Sequence, residues 1–125
     1  MALRILVIED NEDSRALVVK ILARHGYELL EATSAEAGFA LAERQLPDLV
    51  LMDLHLTGMS GLEATRRFKR SEALKHVPVV ALTAYAMVGD REKALEAGCD
   101  GYLSKPVDVR RFPEQVAEFL REKRS

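Results

Sequence analysis

The chain has 125 residues, about one domain's worth, of which 48% are hydrophobic and 30% charged. That balance excludes a disordered chain, and 18 basic against 20 acidic side chains (net −2) give no global attraction to nucleic acid or a membrane surface. A single cysteine, Cys99, excludes an intramolecular disulfide and a cysteine-built zinc site, and it fits a reducing cytoplasm.

The opening MALRILVIEDN turns acidic where a signal peptide would stay apolar, and no apolar run approaches the ~18 residues of a membrane span. Residues 3–8 (LRILVI) predict a first strand. Residues 12–25 predict a helix with Leu17, Val18, Ile21 and Leu22 on its core stripe and Gly26 as C-cap. Beside that stripe, Ala16, Val19 and Ala23 form a narrower apolar strip facing away from the core. Residues 27–30 (YELL) predict a second strand, and 34–45 a helix with Ser34 as N-cap, stopped by Pro47. A third strand is predicted at 48–52 (DLVLM) and a helix at 61–70. The basic face of that helix (Arg66, Arg67, Lys69, Arg70) has no interleaved aromatics and reads as solvated. A fourth strand at 77–82 (VPVVAL), a helix at about 89–97 closed by Gly98, a fifth strand at 101–103 (GYL) and a helix at 108–122 with Asp108 as N-cap complete the chain.

Strand then helix, five times, with strands starting roughly every 21 to 30 residues, argues for a three-layer α/β fold with right-handed crossovers. The runs are rich in Val, Ile and Leu without strict alternation, which suits strands buried on both faces of a parallel sheet. In such a sheet all C-terminal strand ends share one edge. Glu9 and Asp10 follow the first strand, Asp53 the third, Thr83 the fourth and Lys105 the fifth. The second strand (YELLEAT) brings nothing comparable, as expected if it lies outside the first.

Three clustered carboxylates repel one another, and a hard divalent cation such as Mg²⁺ resolves that repulsion. A lysine and a threonine hydroxyl added to a metal are the parts that stabilise a transferring phosphoryl group. No histidine or activated cysteine is placed as nucleophile, so a carboxylate takes that role. Each residue has a plainer reading: Glu9, Asp10 and Asn11 as helix caps, Asp53 as a turn residue, Lys105 as a solvated lysine and Cys99 as a small core hydrophobe. Their convergence on one rim favours a site.

Four of these segments, ILVIEDN, LVLMDLHLTGMSG, VVALTA and GYLSKP, stand in the order and spacing of the receiver domain of two-component response regulators, which the whole chain resembles. The resemblance implies a flavodoxin-like (βα)5 doubly wound parallel sheet of order 2-1-3-4-5. The sequence stops about where that fold would, which leads one to expect no output domain, as in a free-standing regulator or a receiver cut from a longer protein. The resemblance covers residues 1–125 as one receiver domain. By it, Asp53 is the phosphoacceptor, and Asp10 and Asp53 ligate Mg²⁺ (or Mn²⁺) directly. Glu9 acts through a metal-bound water, and the backbone carbonyl of His55 is a further ligand. Lys105 bridges to the phosphoryl oxygens, Thr83 bonds the phosphoryl group, and Tyr102 swings inward as Thr83 moves. Pro106 becomes a candidate for a cis bond.

The implied function is a cytoplasmic phosphoacceptor switch rather than a turnover enzyme. Its donor is a sensor histidine kinase or histidine phosphotransfer protein and its output a downstream protein, with no direct DNA or membrane binding. The stretch from Ala81 to Pro106 is most similar to receivers of hybrid kinases and free-standing regulators. Thr57 stands where the family commonly has proline, and losing that fixed φ implies a slightly looser loop. His55 and Tyr85, two residues beyond Asp53 and Thr83, are candidates to flank the path of hydrolytic water, and Ala16, Val19 and Ala23 are candidates to dock the donor.

Three other functions compete. A flavodoxin-like ligand module needs a phosphate cradle after the first strand, where this chain has acids. An aspartyl phosphatase needs a second carboxylate two residues beyond the nucleophile, where this chain has His55. A receiver-like scaffold acting without phosphorylation has no need of the intact rim.

Overall fold

The computed structural model describes residues 2–84 and 89–124. The strands are β1 (Arg4–Ile8), β2 (Glu28–Ala32), β3 (Leu49–Asp53), β4 (Val79–Thr83) and β5 (Gly101–Ser104). The helices are α1 (Glu12–Ala23), α2 (Ala35–Arg44), α3 (Gly61–Arg70), α4 (Asp90–Ala97) and α5 (Phe112–Arg124). All strand pairs are parallel, and the sheet order is β2-β1-β3-β4-β5, the flavodoxin-like arrangement.

The apolar runs divide by period two between two cores. Ile5 and Val7 with Leu49, Leu51, Val80 and Leu82 meet α1 (Val18, Ile21, Leu22) and α5 (Phe112, Val116, Leu120). Leu6 and Ile8 with Val50, Met52, Val79 and Ala81 meet α2, α3 and α4 through Ala35, Ala42, Ala64, Phe68 and Ala94. Because both faces are covered, no strand shows the polar alternation of a half-solvated sheet. β2 lies at the edge and is the least buried of the four longer strands.

Local chemistry moves several boundaries. Asp48 precedes β3 because its carboxylate accepts a hydrogen bond from the Arg4 amide at 2.8 Å. β4 starts after Pro78, which has no N–H to donate to a ladder. Asp108 caps a turn rather than α5 itself, accepting from the amides of Arg110 (2.9 Å) and Arg111 (3.3 Å). The helix proper begins at Phe112, with Pro113 in the first turn, where no amide donor is needed. Asn11 and Ser34 cap α1 and α2 through the amides of Ser14 and Ala37.

α1 corrects one expectation. Its buried stripe is Val18, Ile21 and Leu22, whereas Leu17 is 41% exposed. Leu17 is turned 100° from Val18 about the helix axis, away from the sheet. On the other strip, Ala16 and Ala23 are exposed, but Val19 is half-buried against the α1–α5 core. The expected basic face of α3 is partly committed to internal contacts. Lys69 reaches the Val77 carbonyl at 2.9 Å and Asp100 at 2.8 Å, and the Arg67 guanidinium lies 4.7 Å from the centre of the Phe39 ring.

Candidate functional site

The strand ends deliver their polar groups to one rim. Ile8 ends β1 beside Met52 of β3, so Glu9 and Asp10 arrive next to Asp53, the last residue of β3. One carboxylate oxygen from each of Glu9, Asp10 and Asp53 lies within 4.8 Å of the others. Glu9 and Asp53 are buried and Asp10 is exposed. Three hard oxygen donors at this spacing, one of them open to solvent, fit a Mg²⁺ ion that keeps part of its water shell.

Lys105 supplies the positive charge. It leaves β5 beside Thr83, whose carbonyl accepts the Lys105 amide at 2.8 Å. Its ammonium is paired with Glu9 and lies 3.8 Å from Asp53 Oδ2. The Lys105–Pro106 bond is cis. Thr83 ends β4 fully buried. Tyr102 is half-buried on the α2–α4 side of the sheet, and its phenol is pushed up by burial and by the nearby Asp90 and Glu92 carboxylates. Asp53 Oδ1 accepts the His55 amide at 3.0 Å, which holds the backbone of residue 55 against the acceptor.

The acids have unequal environments. Burial, followed by contact with the Asp53 carboxylate, raises the Glu9 carboxyl above its ordinary value despite the partial offset from Lys105. Asp10 moves the other way, held low first by the Thr57 amide and further by the Thr57 hydroxyl. Both donors meet Asp10 Oδ2, at 3.0 and 2.9 Å. The loop expected to loosen without proline is thus tied to the acid pair by bonds that proline could not make.

His55 turns toward α4, its Nε2 3.9 Å from Asp90 Oδ2. Tyr85 lies outside the described residues. Cys99 is buried, with its thiol pushed up by desolvation, as a core cysteine should be. Leu17 lines a groove with Ser14, Ala84, Lys105 and Pro106 that opens between α1 and the β5–α5 loop, beside the rim.

Two contributors were not singled out by sequence reasoning, and a third was noted there without its role. Arg15 donates to the Glu9 carbonyl at 3.0 Å and pairs with Glu31 of β2 at 3.1 Å, bracing the start of the acid pair. Its place one turn beyond Asn11 on α1 was the available signal. Gly61 is the second. A Cβ there would lie 2.7 Å from Leu54 Cα and closer still to the Asp53 carbonyl oxygen. Thr57 is the third, visible in sequence only as a missing proline.

A model of the response regulator receiver domain matches residues 5–117. The polar-differentiation response regulator DivK of Brucella ovis is 41% identical over 120 residues, covering 96% of this chain and 98% of the relative. A CheY-like response regulator receiver domain protein from Methanospirillum hungatei JF-1 superposes with a TM-score of 0.91 at 30% identity, over 99% of this chain and 98% of that one. The receiver domain of sensor histidine kinase PA1611 from Pseudomonas aeruginosa PAO1 superposes with a TM-score of 0.86 at 33% identity, over the full length of both. Its crystal structure has a magnesium ion coordinated in the active site cleft. Among the described residues of this chain, no helix is long and apolar enough to cross a membrane.

Proposed function

The chain belongs to the response regulator receiver domain family of two-component signalling, and on that premise we propose that it is a phosphoacceptor switch in which Asp53 carries the phosphoryl group. The observation that carries this reading is the convergence of the Glu9, Asp10 and Asp53 oxygens within 4.8 Å, with the Lys105 ammonium 3.8 Å from Asp53 Oδ2.

An oxygen of the Asp53 carboxylate attacks the phosphorus of a phosphohistidine on a sensor kinase or histidine phosphotransfer protein. The P–N bond breaks, its electron pair stays on the imidazole nitrogen, and an acyl phosphate forms. Asp10, Asp53 and the His55 carbonyl, with Glu9 through water, would hold Mg²⁺ (or Mn²⁺), which when bound would offset the negative charge that three carboxylates present to an anionic donor. Lys105 moves its hydrogen bonding from Glu9 to the incoming phosphoryl oxygens, a shift made short by its position between the two acids. The Thr83 hydroxyl bonds another phosphoryl oxygen, and Tyr102, on the neighbouring strand, follows Thr83 inward. That rearrangement changes the surface read by a downstream protein in the cytoplasm, and DNA is not contacted directly. Hydrolysis of the acyl phosphate releases phosphate and restores the carboxylate. The domain is therefore a self-resetting acceptor, not a turnover enzyme.

The donor docks along α1 through Ala16, Val19 and Ala23, with the exposed Leu17 and its groove leading to Lys105.

Incubation with acetyl phosphate and Mg²⁺ followed by intact mass tests the proposal. We expect a gain of about 80 Da that is absent in Asp53→Asn and in excess chelator. Labelling of Asp53→Asn at the wild-type rate would overturn it.

A further inference from the structure

We infer that Thr57 is a positioning residue for Asp10: its amide and hydroxyl orient the carboxylate as a cation ligand before any cation arrives. The inference rests on the Mg²⁺ reading above. Asp10 is the one exposed acid of the cluster, and an exposed aspartate is otherwise free to rotate away. Here a residue 47 positions distant places two donors on the same oxygen, Oδ2, at 3.0 and 2.9 Å. In that orientation an Asp10 oxygen lies within 4.8 Å of both Glu9 and Asp53. The two bonds therefore hold Asp10 in the cluster and not away from it. Thr57 has no packing duty that would explain it otherwise, because its side chain is exposed while its neighbour Leu56 anchors the loop in the core. Hydrogen-bonding partners of ligating groups commonly set metal affinity by fixing ligand orientation. A valine at 57 keeps the shape and the amide but loses the hydroxyl, whereas a serine keeps both donors.

Isothermal titration with Mg²⁺ distinguishes these. We expect Thr57→Val to bind Mg²⁺ roughly threefold to tenfold more weakly than wild type, and Thr57→Ser to stay within about twofold, at unchanged thermal midpoints. Without metal, the residue 57 amide should be protected from hydrogen exchange in wild type and lose that protection in Asp10→Ala. Equal or tighter Mg²⁺ binding by Thr57→Val overturns the inference, as does Thr57→Ser binding as weakly as Thr57→Val or an unprotected wild-type amide. Wild type that fails to bind Mg²⁺, or Asp53→Asn that binds it equally well, instead overturns the metal site itself and the role of Thr57 with it.

Discussion

The Lys105 ammonium is paired with the buried Glu9 carboxylate, although the two residues stand 96 positions apart and follow strands separated in the sheet by β3 and β4. The lysine thus reaches across the end of β3 and past Asp53. It balances the charge of two buried acids while holding the cation within reach of the acceptor.

Replacing Lys105 with methionine should therefore cost stability as well as phosphorylation. Breaking a largely buried pair leaves the other charge uncompensated, and partial water access at the rim reduces that penalty to about 1–3 kcal/mol. The deficit should narrow as pH falls, because Glu9, whose carboxyl burial already holds above its ordinary value, can then take a proton in place of its lost partner. Urea unfolding of both proteins at two pH values measures this. A deficit independent of pH would mean that Glu9 is not the group left exposed to the loss.

Glu9 and Asp10 should act on stability with opposite signs. The folded protein holds the Glu9 carboxyl above its ordinary value of 4.5, so Glu9 contributes stability below that value and loses it as pH rises through the folded one. Asp10 is held below its ordinary 3.8, so its contribution is present above that value and is lost as pH falls. Glu9→Gln should accordingly raise the urea midpoint most at about pH 8 and converge on wild type near the ordinary carboxylate range. A lower midpoint for Glu9→Gln at the higher pH would show that the Lys105 pair outweighs the burial of Glu9.

Gly61 and Gly58 should respond differently to alanine, although both lie in or beside the same loop. At Gly61 the added methyl meets the Asp53 carbonyl and Leu54 Cα, backbone atoms that can give way only by moving the acceptor. Overpacking of this kind costs about 1–3 kcal/mol, and phosphorylation by acetyl phosphate should slow with it. At Gly58 there is open space, and the only obstacle is φ of +84°. Gly58→Ala should cost about 1 kcal/mol through backbone strain and leave the labelling rate near wild type. Equal labelling rates for the two variants would remove Gly61 from the positioning of Asp53.

The docking proposal is tested at Leu17 in place of Val19, since Val19 is half-buried and its replacement would disturb the core. Leu17→Lys should slow transfer from a phosphorylated histidine partner roughly tenfold, the ~1–2 kcal/mol of one truncated interface contact. Labelling by acetyl phosphate, which needs no protein surface, should not change. Slowing with both donors would indicate damage to the rim, and slowing with neither would put the interface away from α1.

Sequence alone determined the alternation of strands and helices, the parallel sheet and the rim that carries Glu9, Asp10, Asp53, Thr83 and Lys105. These are consequences of local periodicity and of one topological fact, that parallel strands end on a common edge. It did not determine which α1 residues face solvent, because Leu17 and Val18 are equally apolar and only the angle at which α1 meets the sheet separates them. The assignment of partners among the rim charges was also beyond it. That Lys105 takes Glu9, that Arg15 braces the Glu9 carbonyl and that Thr57 holds Asp10 depend on distances across strands and loops far apart in sequence. Thr57 shows the limit most plainly: in sequence it is a proline that is missing, and in the folded chain it is two donors on one carboxylate oxygen. Hydrogen bonds of that length select among side chains by position to within a fraction of an ångström, and only tertiary packing fixes position so finely.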